Sequence, residues 1–171
     1  MPEKHANQLC CEFKPRKAVR AVIADPAARR VLLIQMRVPD SNTSIWITPG
    51  GGLESGEDEM TALKREVREE TGLVIDTAEG PIWYRRMQFH LYGKGFAQSE
   101  TYYYIEVPQF TADHEHNPAA DERSTFESFR WWRRKEINNA HDHIFVPKTL
   151  GLHVERLLDQ GIPEQPYDVG R

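Results

Sequence analysis

The chain has 171 residues, 39% of them hydrophobic and 28% charged, which suits one globular domain with a core of its own. A formal net charge of −4 gives no general affinity for nucleic acid, whose phosphates attract clustered basic side chains. No apolar run is long enough to span a membrane, and the opening MPEKHANQ lacks the apolar centre of a secretory signal, so no membrane attachment and a cytoplasmic location are expected.

Residues 1–15 are polar and read as an N-terminal arm. Cys10 and Cys11 are adjacent, cannot staple a fold, and read as reduced thiols. Residues 17–24 (KAVRAVIA) predict a strand, Asp25-Pro26 a turn, and residues 31–38 (VLLIQMRV) a second strand in a hairpin with the first. Its near-continuous apolar run suggests burial on both faces. Arg20 and Arg37 could reach a phosphate, against a solvated or salt-bridged reading of the same strand arginines. Residues 45–48 form a short strand, with Trp46 favoured as a core residue over a base-stacking one.

The most informative stretch follows. Pro49-Gly50-Gly51-Gly52 fits neither a strand interior nor a helix, and lets a ligand or another backbone come close. Ser55 and Asp58 have the spacing of a capping box, with Ser55 as N-cap. The residues beyond are mostly good helix formers, and Gly72 suits a left-handed helix end. Met60, Leu63 and Val67 share the core-facing arc, with Glu66, Glu69 and Glu70 in a stripe beside it.

That stripe is locally unfavourable. Like charges three and four apart repel by about 0.2–0.5 kcal/mol per pair. Carboxylates in a last turn also oppose the helix dipole, by about 0.3–1 kcal/mol each. A bound divalent cation would remove both penalties, and an all-oxygen donor set selects Mg²⁺ or Mn²⁺. The plain alternative is a solvated acidic helix with Lys64, Arg65 and Arg68 as partners.

Downstream, residues 73–76 read as extended, and residues 82–92 and 96–107 as a long hairpin turning at Gly93-Lys94-Gly95. Alternation sends about half of its side chains to each face. Arg86 and Glu100 are candidates for the wall of a substrate cleft, with a cross-strand pair as the alternative. Residues 108–125 form a long polar loop whose His114-Glu115-His116 reads as solvated, as does His141-Asp142-His143 later. Residues 129–133 predict a strand and 135–140 a short helix. Residues 147–160 predict an amphipathic helix with Pro147 at its first position and Leu150, Val154, Leu157 and Leu158 on its apolar face. The domain is expected over residues 16–160, and residues 161–171 as a C-terminal tail.

Gly51, Glu57 and the run Arg65-Glu66-Val67-Arg68-Glu69-Glu70-Thr71-Gly72-Leu73 match every fixed position of the Nudix box, and the chain resembles the MutT-like Nudix hydrolases. The lead-in from Trp46 to Gly51 and the exit at Arg130-Trp131-Trp132 also look like those of the family. The resemblance implies an α/β fold, an α/β/α sandwich with a mixed sheet. It implies a pyrophosphohydrolase of nucleoside diphosphates linked to another moiety, working with Mg²⁺ or Mn²⁺ on a small nucleotide substrate. By position it makes Glu66, Glu69, Glu70 and the Gly51 carbonyl metal ligands, with one of the glutamates as general base. It makes Arg65 and Glu57 an ion pair that orients the helix. A loop carboxylate before the exit strand often adds a ligand or base in the family. Glu127 is favoured for that role, with Glu122 as the alternative. Arg37, Arg86 and Glu100 are the substrate-contact candidates, and many relatives are homodimers.

The proline marker of the family's ADP-ribose hydrolases is missing near Met87. Tyr92 falls just past the tyrosine position of its dinucleoside-polyphosphate hydrolases. The competing function is a non-catalytic nucleotide-sensing or interaction module, which has no need to keep a repulsive acidic stripe. Isomerisation of a prenyl diphosphate, also known on this fold, needs a cysteine at the cleft, whereas Cys10 and Cys11 lie in the arm.

Overall fold

The computed structural model describes residues 13–170, apart from Asp40, Tyr92 and the side chains of Asp121 and Glu122. Cys10, Cys11 and most of the expected arm therefore lie outside the described residues, as do Tyr92 and the Glu122 side chain.

The elements run β1 (Lys14–Asp25), β2 (Arg30–Arg37), β3 (Ser44–Ile47), α1 (Glu59–Thr71), β4 (Glu79–Leu91) and β5 (Lys94–Glu106). They continue with α2 (Ala120–Thr125), β6 (Phe126–Arg133), α3 (Arg134–Asn139), β7 (Phe145–Val146), α4 (Leu150–Gln160) and β8 (Tyr167–Asp168). The strands form one mixed sheet in the order β7-β3-β2-β1-β5-β4-β8, with β6 on β2. Helix α1 lays Ala62, Leu63 and Val67 against Val19, Ala21, Ile23, Leu32 and Ile105 on one face. On the other face Ile137 of α3 and Leu150, Val154 and Leu157 of α4 cover Val22, Leu33, Trp46, Trp83, Tyr102 and Trp132. The expected α/β/α sandwich is what forms. Trp46 is a core residue, 5.0 Å from Trp132 and edge-on to it.

The hairpin of β1 and β2 is real but brief. Their register covers Ala24↔Val31 and Asp25↔Arg30. The long pairing of β1 is parallel, with β5, from Lys14↔Phe96 to Ala24↔Glu106. Strand β2 turns instead to β3 at its far end and to β6 along most of its length. The sheet thus opens between β1 and β3, and the glycine loop lies in that opening.

Local chemistry moves several boundaries from their expected places. The N-cap of α1 is Asp58, which accepts the Thr61 N–H at 2.7 Å, and not Ser55. Gly56 has φ +84°, so the chain cannot be helical there, and the helix starts after it. A side-chain cap of this kind contributes about 0.5–2 kcal/mol. Gly72, with φ +73°, closes α1 by donating its N–H to the Arg68 carbonyl, as its sequence position suggests. Residues 73–76 are irregular and form no strand. Pro147 does not start α4, because residues 145–146 pair with β3 as a strand and the helix begins at Leu150 after the N-cap Thr149. Residues 167–168, read as part of a tail, pair with Trp83 and Tyr84 as β8, and Val169 is buried beside them.

Candidate active site

Past β3 the chain runs back along the free edge of β1. The Ala21 N–H donates to the Pro49 carbonyl at 2.7 Å and the Val19 N–H to the Gly51 carbonyl at 2.9 Å. Leu53 returns an N–H to the Lys17 carbonyl at 3.1 Å. Two of the glycines are closely approached in this packing. Gly50 sits at φ +132°, and a Cβ there would run into the Val19 carbonyl oxygen. A Cβ on Gly51 would lie 2.6 Å from Glu66 Oε1. Glycine therefore brings this backbone onto a strand on one side and a carboxylate on the other.

The carboxylates of α1 are organised by Arg65. Its Nε and Nη2 each reach a Glu57 oxygen at 2.8 Å, the expected ion pair in bidentate form. Its Nη1 donates to Glu66 Oε1 at 2.8 Å and to Glu69 Oε2 at 3.3 Å, and Nη2 also reaches the Gly52 carbonyl at 3.1 Å. Glu70 turns the other way and accepts the Gly50 N–H at 2.6 Å. Glu66 and Glu70 are 5% and 8% exposed, buried for carboxylates, while Glu69 is more open. Among the described residues no three carboxylate, imidazole or thiol groups are gathered as a ready-made cation cage. The physical reason is that each glutamate takes a protein donor, Arg65 or an amide, in preference to facing its like-charged neighbours.

The donor set nonetheless fits a hard divalent cation. Glu66 and Glu69 share one nitrogen of Arg65, so their oxygens are already drawn to a common positive centre. Gly51 keeps the space beside Glu66 free of a side chain. All candidate donors are oxygens.

The two Arg65 bonds, with the Glu54 N–H behind them, hold the Glu57 carboxyl down at about 2. The same contacts raise Arg65 further above its ordinary range, against the opposing effect of burial. A carboxyl whose folded pKa lies below its unfolded value stabilises the fold above the unfolded value and loses that contribution as pH falls through the folded one. The stability difference between wild type and Glu57→Gln is therefore largest above about pH 4.5 and narrows towards pH 2. Urea unfolding of both proteins across that range checks it. A difference that stays constant with pH would remove the ion pair from the account.

The remaining candidates fall in several places. Arg37 on β2 and Glu127 on β6 meet each other, with both Nε and Nη2 of Arg37 on Glu127 Oε1 at 3.2 and 3.1 Å. Ser44 and Arg37 together hold the Glu127 carboxyl below its usual range. Arg86 is exposed on β4, opposite Ser99. Glu100 does not present itself to a cleft: its side chain is fully buried, held by Arg20, Arg85, Gln98 and Tyr102. The histidine clusters are solvated in part: His116 and His141 are exposed, while His114 and His143 are half-buried against aromatic rings. His114 packs on Phe126 at 4.0 Å between ring centroids, and His143 lies edge-on to Trp132 at 5.3 Å.

Some neighbours of the site had no sequence signal. Met36, His114, Asn117, Arg123 and Phe126 line a small cavity with Glu70. They come from β2, the long loop, α2 and β6, which only the tertiary fold brings together. Lys64, Arg65, Arg68 and His116 line a groove of about 430 Å³ that includes Glu69.

The profile of the NUDIX domain family matches residues 14–150. The chain is 40% identical over 72 residues to an RNA pyrophosphohydrolase of Dinoroseobacter shibae, covering 40% of this chain and 43% of that one. It is 28% identical over 111 residues to an RNA pyrophosphohydrolase of Erythrobacter litoralis, covering 59% and 66%. The chain thus spans less than two thirds of the length of these curated relatives. Its fold is similar to the solution structure of the E. coli ORF135 protein, with TM-score 0.60 and 21% identity over 90% of this chain and 96% of that one. It is also similar to a C. elegans Ap4A hydrolase, with TM-score 0.58 and 20% identity over 85% and 98%. At such identities the likeness concerns the fold alone. The profile match takes in both the glycine loop and the whole of α1, and this chain belongs to the NUDIX domain family.

Proposed function

We propose that this chain is a divalent-metal-dependent pyrophosphohydrolase acting on a nucleoside diphosphate linked to another moiety. The observation that supports it best is the way Arg65 collects Glu57, Glu66 and Glu69 beside Gly51, while Glu70 holds the neighbouring amide. Nudix hydrolases generally use divalent metal ions. Mg²⁺ or Mn²⁺ bound among these oxygens would neutralise charge on the phosphoryl oxygens and lower the pKa of the attacking water. The residues that would hold it are Glu66, Glu69 and Glu70; the Gly51 carbonyl, expected beside them, faces β1 and takes the Val19 N–H instead. Arg65 and Glu57 fix the helix that carries them, and Glu66 or Glu69 takes the proton from the water.

The names of the curated relatives make a pyrophosphate-bearing RNA end the first substrate to test. A net charge of −4 does not oppose this, because capture of one phosphorylated end needs a local basic rim and no extended basic face. Lys64, Arg68 and His116 beside Glu69 supply such a rim, and Arg86 is an exposed further contact.

The test is a hydrolysis panel with Mg²⁺ and with Mn²⁺. It holds 5′-triphosphorylated RNA, nucleoside triphosphates, oxidised dGTP, ADP-ribose, nucleotide sugars and diadenosine polyphosphates, with products resolved. Metal-dependent cleavage of one class is expected, and the product pair identifies the phosphorus attacked. No turnover across the panel, together with thermal stabilisation by nucleotides, would replace this reading with the sensing module.

A further inference from the structure

Strand β1 holds three successive carbonyls of the glycine loop, and it does so in two ways. Those of Pro49 and Gly51 point at the strand and take the main-chain N–H groups of Ala21 and Val19. The Gly50 carbonyl between them points away from that edge and takes the side chain of Arg20, whose Nη1 donates at 2.6 Å, with the Thr48 carbonyl at 3.4 Å. The Gly50 N–H, which belongs to the preceding peptide unit, is held too, as the donor to Glu70 at 2.6 Å. Gly50 is therefore gripped at N–H by a candidate metal ligand and at C=O by Arg20.

Arg20 is itself fixed from behind. Its Nε donates to Glu100 Oε1 at 2.9 Å, and its side chain is 13% exposed. Glu100 is held in turn by Arg85 Nη1 at 3.2 Å, Gln98 Nε2 at 2.9 Å and the Tyr102 hydroxyl at 2.8 Å. Arg85 also donates to the Gly170 carbonyl at the end of the chain. Buried charge is expensive unless it is paired and fully hydrogen-bonded, and this cluster satisfies one carboxylate with four donors. Core stability alone does not require it, because apolar side chains of like volume serve as well or better. Its geometry instead delivers one guanidinium nitrogen to the Gly50 carbonyl.

We infer that Arg20 is a positioning residue for the metal ligand Glu70: anchored by Glu100, it sets the Gly50 backbone, whose N–H holds Glu70, so that Glu70 is placed for a divalent cation. The inference rests on the reading that Glu66, Glu69 and Glu70 form the cation site. Arg20 touches no ligand oxygen of Glu66 or Glu69 in this arrangement and acts through the backbone. Burial works against its charge, but Glu100, Tyr102 and Glu70 outweigh it, so the guanidinium stays cationic beside the site.

The experiment measures Mn²⁺ binding by electron paramagnetic resonance and calorimetry, alongside thermal unfolding, in the full chain. Arg20→Met removes the grip but leaves Glu100 with one fewer cation, so its folding is lowered. Arg85 still neutralises Glu100 in that variant, so no buried charge is left unpaired. Arg20→Lys keeps a charge for Glu100 but lacks the fork needed to hold both partners. Both variants are expected to bind Mn²⁺ at least about tenfold more weakly, with turnover recovering substantially at high metal, and the thermal unfolding shows that each is folded. Wild-type Mn²⁺ affinity in folded Arg20→Met or in Arg20→Lys would overturn the inference. Absence of Mn²⁺ binding by the wild-type protein would instead overturn the cation site on which it rests.

Discussion

Replacing Glu69 with glutamine lowers turnover at saturating metal by about 10²–10³-fold and leaves the thermal unfolding midpoint within a few degrees of wild type. The two halves of this expectation have separate causes. Glu69 is the most exposed of the three candidate ligands, and its contact with Arg65 is the longest of the set, at 3.3 Å. A glutamine oxygen can still accept that bond. The substitution also removes a like charge next to Glu66 and Glu70, which by itself stabilises a helix by about 0.2–0.5 kcal/mol per pair. Folding therefore has little to lose. Catalysis loses a full negative charge from the shell meant to hold a divalent ion, an effect of several kcal/mol in the transition state. Turnover against metal concentration and a circular-dichroism melt give both numbers. Wild-type turnover in the variant, with metal saturating, would sink the assignment of this helix as the catalytic one.

The helix was legible because its chemistry conflicts with its own local rules. An acidic last turn is a poor design for an isolated helix, and the structure resolves the conflict with Arg65 and the Gly50 amide. The Glu57–Arg65 pair was legible too, since both residues lie in one continuous segment. Segments that depend on distant partners were not. Nothing local to β1 announces that most of it pairs with β5, some eighty positions on, and little of it with its hairpin neighbour β2. Residues 167–168 look like any polar tail, and become a strand because the edge of β4 is there to receive them.

The cleft role offered for Glu100 fails for a related reason, whereas the salt-bridged reading of Arg20 holds and Glu100 makes a cross-strand pair with Arg85 in place of Arg86. Period-two alternation places a strand side chain on one face or the other, but it does not say what covers that face. Glu100 stands on the side away from α1, under a roof of arginines, and so supports the loop instead of lining a cleft. Arg37 and Glu127 were each given a separate task by sequence, and the register of β2 with β6 brings them together as a pair. Ser55 lost the N-cap to Asp58 because Gly56 takes a positive φ, a backbone choice that the capping pattern alone does not contain.

Adjacent glycines of the loop give the sharper test of how the site is built, since alanine at each should fail for a different reason. Gly50→Ala puts a side chain at φ +132° and drives a Cβ into the Val19 carbonyl, and neither the backbone of β1 nor that of the loop can yield cheaply. Strain of this kind costs about 1–3 kcal/mol, so the variant loses stability and activity together. Gly51→Ala first meets the end of the Glu66 side chain, 2.6 Å away, at a backbone angle that any residue adopts. A carboxylate on a flexible stem moves aside at little cost to folding. Once moved, it no longer stands where the proposed metal site needs it, and a displacement of about 1 Å at a reacting centre lowers the rate by about 10²-fold. Gly51→Ala is therefore expected to unfold near the wild-type temperature with turnover reduced by about that factor, and Gly50→Ala to unfold well below it. Equal loss of stability in the two variants would mean that Glu66 is not free to move. Wild-type turnover in Gly51→Ala would mean that the closeness of Glu66 to this glycine has no part in the reaction.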